Sequence, residues 1–115
     1  MAVTAHATGT QTATINTEHS LTTVAVAGTF ILEVDLNAMA VGDSLELRVK
    51  KKILTGGTAR VYIYARFDSV PTTDDVIKSS IPISNDLVEA GALDFTLKQI
   101  AGTGRAYPWK VLKFA

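Results

Sequence analysis

The side chains of this chain that could do chemistry are few and far apart. His6 and His19 are its only histidines, and cysteine is absent. Acyl transfer needs a nucleophile, a base and an orienting group that converge. Both histidines lie in the polar N-terminal part and read as solvated or interface residues. A metal held between them would need carboxylates, and Glu18 alone is close in sequence. Asp74 and Asp75 could form half of a carboxylate pair for glycoside hydrolysis or for calcium. Following Pro71-Thr72-Thr73, without the Asp/Asn spacing of a calcium loop, they read instead as turn residues. Gly102-Thr103-Gly104-Arg105 has the look of a phosphate loop, but such a loop opens a helix. Here Ala106, Tyr107 and Pro108 follow, an extended segment, so a hairpin turn is expected. No enzyme activity, no cofactor and no metal site is expected from this set.

Residues suited to binding are better grouped. Lys50, Lys51 and Lys52, with Arg48 and Arg60, make one basic cluster, and Tyr62 and Tyr64 stand opposite it. The cluster has three readings. It could stack and neutralise single-stranded nucleic acid, it could be a solvated face whose lysines deter edge-to-edge aggregation, or it could meet a charged protein partner. The C-terminal segment Tyr107 to Phe114 carries Tyr107, Trp109 and Phe114 interleaved with Lys110 and Lys113. Alternation puts Tyr107, Trp109 and Val111 on one face and Lys110, Leu112 and Phe114 on the other. Apolar residues on both faces suggest a strand covered on both sides, as by a neighbouring subunit. Trp109 as a sugar-stacking platform is the competing use, and core or interface is favoured over it. Residues Met1 to Thr17 are rich in Ala and Thr and short of groups to bury. They form an N-terminal arm or first strand, either disordered or added to a partner's sheet edge. The candidate protein interface is therefore Thr8, Thr10, Thr12, Arg48, Lys50, Tyr62, Tyr64, Arg105, Tyr107, Trp109 and Phe114.

The elements that must position these residues read as strands. Period-two alternation of Thr, Val, Ile and Tyr is broken by Gly, Asn, Asp and Pro about every ten residues, the spacing of a sandwich or barrel. Ser20–Ala27 and Thr29–Asp35 are strands, the second with Phe30, Leu32 and Val34 on one face. Leu36–Met39 is a candidate helical turn. Ser44–Asp68 is a hairpin with Leu45, Leu47, Val49 and Ile53 on the same face as Val61, Ile63, Ala65 and Phe67. A three-residue loop, Thr55-Gly56-Gly57, fits the parity of that face. It pairs Val49 with Ile63, Leu47 with Ala65, Glu46 with Arg66, Arg48 with Tyr64 and Lys50 with Tyr62. Lys51 falls on the apolar face, which calls for snorkelling or a bulge. Val76–Ile83 carries Pro82 and suits a sheet edge. Asn85–Ala92 is a loop, Asp94–Ile100 a strand, and Tyr107–Phe114 the last strand.

The fold class expected is all-β: a single-domain antiparallel β-sandwich, jelly-roll-like, of about seven or eight strands, with residues 1–17 as the arm and 18–115 as the sandwich. The chain of 115 residues fits one domain and buries roughly two-thirds of its unfolded surface. Eleven basic and eleven acidic residues cancel, so no global field draws it to nucleic acid or to a membrane. No apolar run approaches the ~20 residues needed to span a bilayer. The start has no signal-peptide pattern, and a soluble protein is expected.

Several blocks carry a resemblance. They are Thr4-Ala5-His6-Ala7-Thr8-Gly9-Thr10, Gly42-Asp43-Ser44-Leu45-Glu46-Leu47-Arg48, Gly56-Gly57-Thr58, Leu97-Lys98-Gln99 and Ala101-Gly102-Thr103-Gly104-Arg105-Ala106-Tyr107-Pro108-Trp109-Lys110. Together they resemble small proteins encoded among the structural genes of tailed bacteriophages. The resemblance spans most of the chain and includes no catalytic signature. It implies a virion component made in the host cytoplasm, with a capsid decoration (cement) protein on the outer surface of the head as the favoured role. Its implied partners are the major capsid protein and further copies of itself, a homotrimer being favoured. A head–tail connector, a tail or fibre-associated protein and a carbohydrate-binding module are the alternatives.

Overall fold

The computed structural model describes residues 2–68 and 75–114. The expected turn at Pro71–Asp74 lies outside these residues, whereas Asp75 lies within them and pairs with Lys78 at 2.7 Å. Nine strands run in chain order: β1 (Val3–Thr12), β2 (Glu18–Val24), β3 (Gly28–Asp35), β4 (Ser44–Lys51), β5 (Arg60–Asp68), β6 (Ile77–Ser79), β7 (Ile83–Asn85), β8 (Leu93–Ala101) and β9 (Ala106–Phe114). They form two antiparallel sheets. The first has the order β1-β9-β3-β6, with β7 also on β3, and the second has the order β2-β8-β4-β5. Neighbours within a sheet come mostly from distant parts of the chain, and successive strands mostly change sheet, as in a jelly roll.

The count exceeds seven or eight because the edge segment with Pro82 is broken. β6 pairs with Glu33–Asp35 and β7 with Gly28–Phe30, so the two follow one another along the same side of β3. Proline has no N–H to give to a ladder, and the chain leaves it here. Ser80 bridges the gap: its N–H donates to the Leu32 carbonyl at 2.8 Å, and its hydroxyl accepts from the Leu32 N–H at 3.0 Å.

Alternation places the core. Phe30, Leu32 and Val34 of β3, Leu45, Leu47 and Val49 of β4, Phe95 and Leu97 of β8, and Tyr107 and Val111 of β9 meet between the sheets. Leu36–Met39 forms a turn instead of a helical one, closed by the Met39 N–H on the Leu36 carbonyl. The β4–β5 register is as expected at Val49–Ile63, Arg48–Tyr64, Leu47–Ala65 and Glu46–Arg66. Beyond Val49 it shifts by one, so Lys50 meets Val61 and not Tyr62. The extra residue is Tyr62 of β5, so β4 keeps its alternation and Lys51 stays on the inward face at the end of the sheet. There it snorkels: its ammonium crosses to the Ser84 carbonyl in the other sheet and stands 5.1 Å from the Tyr62 ring centroid. The hairpin connection is also longer than three residues, running from 52 to 59. Ile53 therefore leaves the core face and is 70% exposed. Glu89 holds this loop by accepting from the Gly56 N–H at 3.0 Å and from Lys52 at 3.1 Å.

The opposite end of the sandwich is tied by buried polar groups. Asp43, 1% exposed, accepts from the Ala40 N–H (2.9 Å), the Thr103 N–H (3.1 Å) and Arg105 Nε (3.0 Å). Gln99, fully buried, donates to the carbonyls of Ala101 and Thr103 and accepts from the Arg105 N–H and the Tyr107 hydroxyl. Gly102 has φ +87°, and a Cβ there would collide with Asp43. The Gly102–Arg105 segment is a tight turn but not the expected hairpin, because β8 and β9 do not pair and it carries the chain from one sheet to the other. Asp43 fills the place an outside anion would need.

Candidate functional site

The candidate interface residues divide between the two outward faces of the sandwich. On the β2-β8-β4-β5 sheet, Glu46, Arg48 and Lys50 alternate with the core residues of β4 and so face outward. Glu18 of β2 accepts from Arg48 at 3.1 Å, from Lys50 at 2.8 Å and from the Thr96 hydroxyl at 3.1 Å. Glu46 accepts from Arg48 at 2.9 Å and from the Tyr64 hydroxyl, and the Arg48 guanidinium lies 5.9 Å from the Tyr64 ring centroid. The hydrogen bond from Lys50 holds the Glu18 carboxyl below its ordinary range, and that from Tyr64 does the same for Glu46. Three of the five cations of the basic cluster are answered by carboxylates, Arg48 and Lys50 by Glu18 and Glu46, and Lys52 by Glu89, whereas Lys51 bonds the Ser84 carbonyl. The cations paired in this way have less charge left with which to release counterions from a nucleic acid backbone.

The outward face of the other sheet differs in kind. Across β1, β9 and β3, the row Val3–Phe114–Thr29 lies next to the row Ala5–Leu112–Ile31. Directly opposed residues share a face, and Val111, buried beside Leu112, fixes which face that is. Leu112 and Phe114 therefore point away from the core, with Ile31 and Val3 beside them. Leu112, Phe114 and Ile31 are half-buried by their neighbours, Val3 is 55% exposed, and no described strand lies over them. Along the same face follow Thr8–Lys110–Glu33, then Thr10 against Pro108 and Thr12 against Ala106. The face is an apolar patch with a polar, threonine-rich continuation, the composition of a buried interface centre and its rim. A shallow groove of about 270 Å³ runs beside it, lined by Glu33, Asp35, Ile77, Pro108, Trp109 and Lys110.

Three of the candidate residues do other work. Tyr107 is fully buried, its hydroxyl bonded to Gln99, so it is a core residue and not part of an interface. Burial pushes its phenol up to about 12. Trp109 faces inward, packs against the core and lies on Gly9, where an added Cβ would come within 3.0 Å of the indole. Its ring is thus not the free platform that sugar stacking requires. Arg105 is held by Asp43. Thr8, Thr10, Thr12 and Phe114 come together on the apolar-patch side, while Arg48, Lys50 and Tyr64 come together on the opposite outward face. Tyr62 and Tyr64 are each about half exposed, at 51% and 49%.

Alternation along single strands missed Ile31, Val3 and Ala5 on the outward face. The signal for Ile31 was present, since Phe30-Ile31-Leu32 is apolar without a break where a one-sided strand should alternate. His6 and His19 are half-buried and separately engaged. His6 contacts the Thr23 carbonyl at 3.2 Å and the edge of Phe30, and His19 accepts from the Thr14 N–H at 3.1 Å. Among the described residues, no three His, Cys, Asp or Glu side chains gather as metal ligands do, and no helix is long and apolar enough to cross a membrane. No family model, curated protein or solved structure matches the chain.

Proposed function

We propose that this protein is a structural assembly module, a capsid decoration protein that binds the assembled head of a tailed phage and stabilises it. The observation that carries the reading is the patch of Val3, Ala5, Ile31, Leu112 and Phe114, apolar side chains on the outward face of a sheet that no described strand covers. Patches of this kind mark interaction sites in soluble proteins. Covering one contributes about 25 cal/mol per Å² of apolar area. Repeated over many copies on one shell, modest contacts add up to a lasting clamp. The sequence resemblance to virion proteins supplies the partner, the major capsid protein, and the expectation of a homo-oligomer, with a trimer favoured.

The test is co-sedimentation with purified heads lacking the protein. Leu112→Glu should weaken binding by at least a hundredfold while moving the melting temperature by only a few degrees, because Leu112 lies outside the core. Undiminished binding by that variant would remove the patch from the contact. A connector, tail or fibre-associated protein would use the same surface at a handful of copies per particle, so stoichiometry separates those readings.

A further inference from the structure

The first strand contributes no buried apolar side chain to the core. Every buried hydrophobic residue of the described chain lies at or beyond Ala13, and none of the ten residues of β1 is buried. Among the described residues β1 pairs with β9 alone, and no described strand pairs with its other edge. The body that follows is anchored independently: the Ala13 N–H donates to the Arg105 carbonyl, and the Asn16 N–H to the Gln99 carbonyl, each at 2.8 Å. β1 is therefore held by its ladder, by the His6 contacts to Thr23 and Phe30, and by the seating of Trp109 on Gly9. A strand attached in this way can leave without withdrawing a buried apolar side chain, but its departure uncovers Trp109 and the β9 edge, which then needs another strand.

The geometry restricts which strand that can be. Trp109 sits directly opposite Gly9, and a Cβ at that position would lie 3.0–3.1 Å from three atoms of the indole. The fit of an incoming strand is therefore best with glycine there, where any Cβ would push the indole aside by a few tenths of an ångström, and with small residues beside it, as β1 has at Ala5 and Ala7 opposite Leu112 and Val111. We infer that the β9 edge is a docking site for β1 of a second copy of this chain, so that copies join by exchanging first strands. Every bond of the closed chain is regained in the exchanged one, which makes such a swap an inexpensive route to an assembly. The inference is independent of the capsid role, since it concerns the protein in the absence of any particle.

The chain has no native cysteine, so single cysteines report cleanly. Thr8 and Lys110 face each other across β1 and β9, and both are exposed. Full-length Thr8→Cys and Lys110→Cys variants, mixed and refolded together from denaturant, can join these two positions only between chains. After oxidation or treatment with a short bifunctional thiol reagent, the mixed dimer should exceed tenfold the yield of Thr8→Cys mixed with Val41→Cys, a remote exposed control. A yield no higher than that control, from micromolar to millimolar protein, overturns the exchange. As a second measurement on the unmodified chain, a fluorescent peptide of residues 3–12 should bind, and its Gly9→Val form should bind at least tenfold more weakly. Equal binding of the two peptides, or none by either, contradicts the assignment of the β9 edge to β1.

Discussion

Replacing Asp43 by alanine tests whether one buried carboxylate holds one end of the sandwich together. Asp43 is 1% exposed and accepts three hydrogen bonds, from the N–H groups of Ala40 and Thr103 and from Arg105. Hydrogen bonds to a charged group are each worth about 1.5–3 kcal/mol, and bonds to one acceptor do not add in full. Arg105 is 33% exposed at its side chain and regains water once its partner is gone, which lowers the cost further. The expected loss is about 2–4 kcal/mol, a large share of the ~5–15 kcal/mol available to a domain. At the usual unfolding entropy per residue, this corresponds to a melting temperature lower by roughly 8–16 °C. Burial pushes the Asp43 carboxyl up, but its two backbone donors and Arg105 outweigh burial and hold it below the ordinary value. With the folded pKa depressed, the unfolded chain binds more protons in acid, so this stabilisation is present above about pH 4 and is lost as pH falls through the folded value. Urea unfolding followed by circular dichroism at neutral pH and near pH 3 measures both effects. Asp43→Asn should be destabilised at neutral pH and should show a flatter acid limb than the native chain. A loss below about 1 kcal/mol for Asp43→Ala, or an unchanged acid limb for Asp43→Asn, would refute the reasoning.

Other substitutions probe the remaining parts of the account. Phe95→Ala removes a fully buried ring and should cost about 3–5 kcal/mol, measured by urea denaturation. Gly9→Val drives a side chain against the Trp109 indole and should loosen β1 while sparing the core. Hydrogen exchange should then speed up at β1 and along the facing β9 edge, while β3, β4 and β8 remain protected. Glu89→Ala releases the Gly56 N–H and Lys52, so amides of residues 52–59 should exchange faster with little change in melting temperature.

How much of this was legible in the sequence depended on how local the cause was. The faces of β3 and of the β4–β5 hairpin as far as Val49 and Ile63 follow from alternation alone, because one residue of slip would bury Arg48 and Glu46. The bulge at Tyr62 left no local trace, and Lys51, apolar-facing by parity, marks instead the end of the sheet, where it snorkels to the Ser84 carbonyl. Ile53 misled because it matched the parity of the core face although the chain had already left the strand. Tyr107 looked like an interface aromatic because its partner, Gln99, is recognisable only once β8 and β9 are folded together. The counter-ions of the basic cluster were hidden for the same reason: Glu18 meets Arg48 and Lys50 only because β2, β8 and β4 lie side by side. The apolar outward patch draws on β1, β3 and β9, and its only local hints were the unbroken Phe30-Ile31-Leu32 run and the two-faced last strand.

The central claim, that the outward face of the β1-β9-β3 sheet is how this protein joins a particle, is tested most directly by electron cryomicroscopy of purified virions. The account predicts hundreds of copies on the outer shell of the head, with Leu112, Phe114 and Ile31 buried against a neighbouring subunit. Copies confined to one vertex or to the tail would contradict the decoration role. Copies on the head with that patch facing solvent would contradict the mode of attachment, and absence from the particle would contradict both.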